Sequence, residues 1–144
     1  LLRRSQIESC SFRFFNVYGP GQSAKGGYAA VIPSFKKAIE DGKECTIFGD
    51  GTQIRDFIHV EDLVRIIGLA IEAESLPSEL NIASGKATSL LDLIEILTES
   101  NSELPPPLFL EQRAGDIHTS LADISRLMKS LPVGELVSIR EGLI

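Results

Sequence analysis

Residues 48–62 read Phe48-Gly49-Asp50-Gly51-Thr52-Gln53-Ile54-Arg55-Asp56-Phe57-Ile58-His59-Val60-Glu61-Asp62. Cys45 to Phe48 is a short β-prone run closed by the turn residues Gly49-Asp50-Gly51, and Ile54 to Ile58 is a second strand. Val60-Glu61-Asp62 then opens a helix carrying Leu63, Val64, Ile66, Ile67, Leu69, Ala70 and Ile71. Those apolar residues cover nearly the whole helical circumference, which predicts a buried helix.

The same alternation extends in both directions. Upstream, Ser11 to Val17 is aromatic and β-prone and stops at Tyr18-Gly19-Pro20-Gly21, so it predicts one strand leading into a loop. From Ala30 to Asp41, Val31, Ile32, Phe35, Ala38 and Ile39 share a helical face, and Gly42 is placed to end that helix. Downstream, Leu80 to Ala83 is a brief strand ending at Ser84-Gly85, and Ser89 to Asp92 begins a helix as a capping box with Asp in place of Glu. Leu93, Ile94 and Leu97 continue its face. Pro105-Pro106-Pro107 is a stiff connector before a possible strand at Leu108 to Leu110. Asp123 is placed to cap a last helix burying Ile124, Leu127, Met128 and Leu131. Strands alternate with helices throughout, so the class is α/β.

Composition removes several functional classes. The 144 residues are 43% hydrophobic and 24% charged, a globular balance, and 14 Lys+Arg against 20 Asp+Glu leave a net charge of -6. The basic clusters are only the doublets Arg3-Arg4 and Lys36-Lys37, which argues against a nucleic-acid partner. Cys10 and Cys45 have no Cys or His partner at zinc spacing, so no metal site is expected, and two cysteines point to a reducing compartment. No apolar run is long enough to span a membrane and no signal-peptide pattern opens the chain, so the expected setting is the cytoplasm, without membrane contact. The single methionine is Met128 and the chain opens on Leu1, from which we expect it to be part of something longer.

Tests for complete catalytic machinery are negative: there is no Gly-x-Gly-x-x-Gly, no phosphate loop ending in Gly-Lys-Ser/Thr and no Gly-x-Ser-x-Gly. His59, at a strand-to-helix junction, reads as structural before it reads as an acid or base. Asn16 at a strand end is a turn-former or a ligand contact. The Arg55 guanidinium suits a diphosphate, but a salt bridge with Asp56 or another carboxylate explains it too. Arg113-Ala114-Gly115-Asp116 is either a phosphate cation with a sugar-hydroxyl acceptor or a local ion pair.

Six segments in order resemble the C-terminal half of the extended short-chain dehydrogenase/reductases, in particular the UDP-glucose 4-epimerase-like branch of the NAD-dependent epimerase/dehydratases. They are Arg13 to Gln22, Val31 to Phe35, Phe48 to Asp62, Leu80 to Gly85, Arg113 to Ile117 and Glu141 to Leu143. The resemblance implies the last strands of a Rossmann-type sheet, with the end of the Rossmann domain in 1–22, a mainly nucleotide-sugar-binding part in 23–144, and segment 60–85 packing back on the Rossmann sheet. It implies that Asn16, Arg55 and Arg113 contact the diphosphate of a UDP-sugar and that Asp116 takes the ribose hydroxyls. Thr46 and Phe48 would hold uracil, through their backbone and the Phe48 ring, and Val31 would add a wall. Phe14 and Phe15 would lie beside the nicotinamide of NAD, a cofactor bound mainly by the N-terminal half. Ser120, four residues beyond Asp116, would face the hexose and leave room for an N-acetyl group.

The resemblance also carries a departure. The family's Tyr-x-x-x-Lys pair and its glycine-rich loop both precede the strand that here begins at Ser11. Tyr18 is followed four residues later by Gln22, and Tyr28 by Ile32. No catalytic residue is therefore expected in this chain, whose first residues would form the tail of the helix that carries that pair. The parent would be an epimerase, and a homodimer through helices of its N-terminal half. A 4,6-dehydratase or decarboxylase of the same superfamily, a binding module without redox chemistry, and a plain interaction domain are the alternatives.

Overall fold

The structure is a computed structural model that describes residues 9–23, 30–99 and 104–143. The Arg3-Arg4 doublet, the expected helix tail at the start of the chain and Tyr28 lie outside the described residues. Element order is β1 (Ser11–Phe14), β2 (Asn16–Tyr18), α1 (Val31–Glu40), β3 (Thr46–Phe48), β4 (Ile54–His59), α2 (Val60–Glu72), β5 (Glu79–Ile82) and β6 (Ala87–Ser89). It continues with α3 (Leu90–Thr98), β7 (Leu108–Leu110), β8 (Thr119–Ser120), α4 (Ser125–Ser130) and α5 (Ile139–Leu143). The α/β class expected from the alternation is the one observed.

The predicted single strand over Ser11 to Val17 is two strands broken at Phe15. β1 pairs in parallel with β5, whereas β2 pairs in parallel with β4, so the chain changes sheets at that residue. β4 is the hub. Its last three residues pair with β2, and its first residues lie between antiparallel β6 and parallel β8. β3 and β7 form a separate parallel pair.

Successive residues of a strand point to opposite faces, and β4 serves two cores in this way. Phe57 joins the cluster with Tyr18, Ile32, Phe35, Ile47 and Leu93. Ile58 joins the cluster with Ile66, Leu80, Ile82, Leu127 and Val133. Asp56 points to the Ile58 side and is fully buried. Its Oδ1 accepts from the Ser84 backbone N–H at 2.8 Å and the Ser84 hydroxyl at 2.7 Å. Its Oδ2 accepts from the N–H of Gly85 at 3.0 Å and of Ala122 at 3.2 Å, and its carbonyl accepts from Asn16 Nδ2 at 2.9 Å. One carboxylate thus ties β4 to the β5–β6 turn and to the segment after β8.

Helix ends follow local chemistry. Gly42 has φ 64° and ends α1 as expected, with the Lys43 N–H reaching the Ala38 carbonyl at 2.8 Å. Ser89 and Asp92 form the capping box of α3 in both directions at 3.0 Å. His59 caps α2 by accepting from the Glu61 N–H, and its ring meets Tyr18 edge-on, so its role in this fold is structural.

Two helices depart from expectation. α2 is not buried all round: Val64 is 62% and Ile71 80% exposed, because β4, β5 and α4 cover only the side that carries Ile66 and Ala70. In α4, Leu127 is buried and Leu131 follows it into the core, but Met128 is 47% exposed and Ile124 only half-buried. α4 is six residues long and offers the core one narrow stripe. Asp123 accepts from the Ser125 N–H at 2.8 Å from just ahead of the N-cap residue Ile124.

Replacing Asp56 by Asn sets an amide N–H₂ against backbone donors and removes the charge they share. Asp56→Asn is expected to lower unfolding free energy by at least about 3 kcal/mol in urea titrations. Ile71→Ser is expected to stay within about 0.5 kcal/mol, and Ser89→Ala to cost about 1 kcal/mol.

Candidate functional site

Period-two alternation gathers polar groups on the Phe57 side of β4. Arg55 projects there, as do Asn16 from β2 and Thr46 and Phe48 from β3, while Ile47 between the last two is buried in the core. Val31, Ser34 and Phe35 of α1, spaced i, i+3, i+4, close the opposite wall. The open cavity that these residues line has a volume of about 470 Å³.

The remaining wall comes from strand pairing at a distance in sequence. β7 lies alongside β3 with Phe48 opposite Leu110, and β8 lies alongside β4 with Arg55 opposite Ser120. The segment joining β7 to β8 therefore has to cross from one strand to the other over the cavity. It does so through a turn in which the Asp116 N–H donates to the Arg113 carbonyl at 3.1 Å, with Gly115 at φ 81°. Positive φ at the third position of a tight turn favours glycine. Both Arg113 and Asp116 are delivered to the cavity by this turn.

The two arginines are held differently. Arg55 is mostly buried, its side chain 17% exposed; Nη1 donates to the carbonyls of Ile54 at 2.8 Å and Ile117 at 2.6 Å, and Nη2 donates to Asp116 Oδ1 at 2.7 Å. A guanidinium has five N–H groups, so these three contacts fix its plane and leave donors for a ligand. Arg113 is exposed, with its guanidinium carbon 3.7 Å from the centre of the Phe48 ring.

These contacts show which partners the nominated residues have in this structure. Arg55 has a carboxylate partner, and it is Asp116 rather than the adjacent Asp56, which faces the other side of β4. Among the described residues the Arg113 to Asp116 segment makes no ion pair within itself. Asn16 is not a turn-former but a strand residue whose amide is tied to the Asp56 carbonyl.

Of the residues nominated from sequence, Asn16, Val31, Thr46, Phe48, Arg55, Arg113 and Asp116 line this one cavity. Ser120 does not line it; it sits on β8 opposite Arg55. Phe14, 51% exposed, and half-buried Phe15 lie where β1 ends, away from the cavity lining. Gln53 lines the cavity and was not anticipated, although its spacing from Arg55 and Phe57 puts it in the same strand phase. Among the described residues no three His, Cys, Asp or Glu side chains gather as a metal site requires. No helix among them is long and apolar enough to cross a membrane.

Two groups near the site have displaced ionisation. Burial, with the Asp62 and Glu141 charges adding to it, pushes the Tyr18 phenol up to about 12. Asp50 is held below the usual carboxylate range by the Thr52 hydroxyl first and the Thr52 backbone N–H second, at 2.7 and 2.9 Å. That turn orients Phe48 and Gln53 at its two ends. A depressed folded-state value means a stabilising contribution present above the unfolded value and lost as pH falls through the folded one. Thr52→Ala is expected to move the Asp50 midpoint up toward the ordinary carboxylate value, read by carboxyl-detected NMR titration.

Comparison with known proteins identifies the family. Residues 2–83 match the family described as the NAD dependent epimerase/dehydratase family. The chain is 32% identical over 133 residues to the dTDP-L-rhamnose 4-epimerase of Burkholderia thailandensis, covering 91% of this chain and 36% of that protein. It superposes on a UDP-glucose 4-epimerase from Thermotoga maritima, solved with UDP-glucose, with TM-score 0.88 and 33% identity, covering 98% of this chain and 45% of that one. It superposes on a UDP-N-acetylglucosamine 4-epimerase from Methanobrevibacter ruminantium M1, in complex with UDP-N-acetylmuramic acid, with TM-score 0.83 and 36% identity over 95% of this chain and 45% of that one. The chain thus spans less than half the length of these relatives.

Proposed function

The chain belongs to the NAD dependent epimerase/dehydratase family, and from that premise we propose that it is the nucleotide-sugar-binding part of a UDP-sugar 4-epimerase. Its cavity holds the nucleoside diphosphate and lines the hexose site. The observation that carries this reading is the convergence of Asn16, Thr46, Phe48, Arg55, Arg113 and Asp116, scattered over 100 positions of sequence, on one cavity of about 470 Å³.

The chemistry of the walls divides the ligand among them. Arg55, pinned by two carbonyls and Asp116, offers its remaining N–H groups to the diphosphate as a preorganised fork. Asp116 uses Oδ1 on Arg55 and keeps Oδ2 as an acceptor for ribose hydroxyls. Phe48 offers a ring face to the pyrimidine. Arg113 lies on that face, so base and guanidinium compete for it. Magnitudes decide the outcome: an exposed cation–π contact is worth about 0.5–1 kcal/mol, whereas a hydrogen bond to a charged group is worth about 1.5–3 kcal/mol. When the nucleotide enters, Arg113 leaves the ring for the diphosphate and the base takes its place.

NAD, when bound, would supply hydride-transfer chemistry at the sugar C4. The groups here that suit it are Phe14 and Phe15, aromatic residues at the carboxyl end of a strand in a parallel pair, where α/β sheets meet dinucleotides. This chain carries no Tyr-x-x-x-Lys pair. Its own residues orient the nucleotide-sugar, and proton transfer at the C4 hydroxyl belongs to the remainder of the enzyme.

The test is calorimetric titration of UDP into the intact protein. Arg55→Met and Arg113→Met are each expected to weaken binding by about 10- to 100-fold, with Ile71→Ser as an unaffected control. Absence of UDP binding by the intact wild-type protein overturns the reading.

A further inference from the structure

We infer that His118 is a positioning residue for the nucleotide: its imidazole fastens the segment carrying Arg113 and Asp116 to the turn ahead of β4, and so holds Asp116 where ribose hydroxyls reach it. This deepens the nucleotide reading above and rests on it.

Residues 111–115 of the segment between β7 and β8 are exposed, so hydrogen bonds rather than core packing set where it lies. At its β8 end the His118 carbonyl accepts from the Ile54 N–H at 2.7 Å, and the Ile117 carbonyl and Asp116 carboxylate accept from Arg55. Ile54 and Arg55 are neighbours on β4, so these bonds alone leave the segment free to pivot about that strand. The His118 side chain supplies a contact elsewhere. Its Nε2 lies 3.2 Å from the hydroxyl of Thr52, which belongs to the turn and not to β4.

Neighbouring groups determine which atom carries the proton in that contact. Thr52 Oγ1 lies 2.7 Å from Asp50 Oδ1, which also accepts from the Thr52 backbone N–H at 2.9 Å. Two oxygens at that distance need a hydrogen between them, and the hydroxyl has only one. Thr52 Oγ1 is therefore an acceptor toward the ring, and His118 Nε2 is the donor. Nδ1 lies 3.3 Å from the Thr119 hydroxyl, which donates to it, so a single neutral tautomer satisfies both ring nitrogens. Asp50, Thr52 and His118 thus form one hydrogen-bonded chain that ends two residues from Asp116. The turn at its other end joins β4 to β3, the strand that carries Phe48. The chain therefore spans the walls given above to the base and to the ribose, and fixing their spacing before the ligand arrives lowers the ordering cost of binding.

His118 does not line the main cavity, so it reaches the ligand only through the groups it holds, and its signature is coupling to one ligand group. UDP and 2′-deoxy-UDP are titrated calorimetrically into intact wild type, His118→Leu, Thr52→Val and His118→Gln, with thermal unfolding as a check of folding. Loss of the 2′-hydroxyl is expected to weaken binding to wild type by about tenfold. In His118→Leu and Thr52→Val that penalty should fall to within about threefold, whereas His118→Gln, whose amide N–H₂ replaces the Nε2–H, keeps it near the wild-type value. Long-range proton–nitrogen NMR of the neutral ring is expected to show the Nε2–H tautomer. An equal deoxy penalty in wild type, His118→Leu and Thr52→Val, or a neutral ring protonated on Nδ1, overturns the role of His118 while leaving the nucleotide pocket standing. Failure of wild type to bind UDP at all removes the pocket reading and this one together.

Discussion

A carboxylate buried without donors is among the costliest groups a fold can contain, and Asp56 sits at the centre of this one. Its two oxygens take four hydrogen bonds from Ser84, Gly85 and Ala122, groups that belong to segments 28 and more positions away in sequence. The turn after β5 and the segment after β8 can satisfy that charge only by docking on β4. The requirement works in both directions, since the same backbone N–H groups would be stranded without the carboxylate. β4 is thereby held between β2, β6 and β8.

The position of Asp56 also dictates its neighbour. Adjacent strand residues face opposite ways, so a carboxylate directed into one core sends the Arg55 guanidinium into the cavity on the other side. There the arginine is fastened by the Ile54 and Ile117 carbonyls and by Asp116. Holding a cation in a fixed plane beside a cavity before any anion arrives lowers the ordering cost of binding, which is the general advantage of preorganisation. Arg113 is the opposite case, an exposed guanidinium resting on the Phe48 ring.

Much of this was legible in the residues. The α/β alternation, the Gly42 helix end, the Ser89–Asp92 capping box and the strand-turn-strand around Gly49 to Gly51 all depend on neighbours in sequence, and each formed where local chemistry predicts. Long-range choices were harder to read. The break at Phe15 exists because β1 and β2 find partners in different sheets. Val64 and Ile71 stay exposed because nothing among the described residues packs on their side of α2, and no periodicity records which side of an apolar helix will be covered. Asn16 has the composition of a turn and the position of a strand, because an acceptor on β4 claims its amide.

The sequence by itself determined the class, most of the elements and the types of side chain that suit a nucleotide-sugar, since propensity, capping and alternation act within a few residues. Only the tertiary structure decided which of those side chains meet. That Arg55 pairs with Asp116 and not with Asp56, and that Arg113 reaches the Phe48 ring, both follow from β7 aligning with β3 and β8 with β4. Those pairings are set by burial and hydrogen-bond satisfaction across the whole fold, which no local stretch of residues encodes.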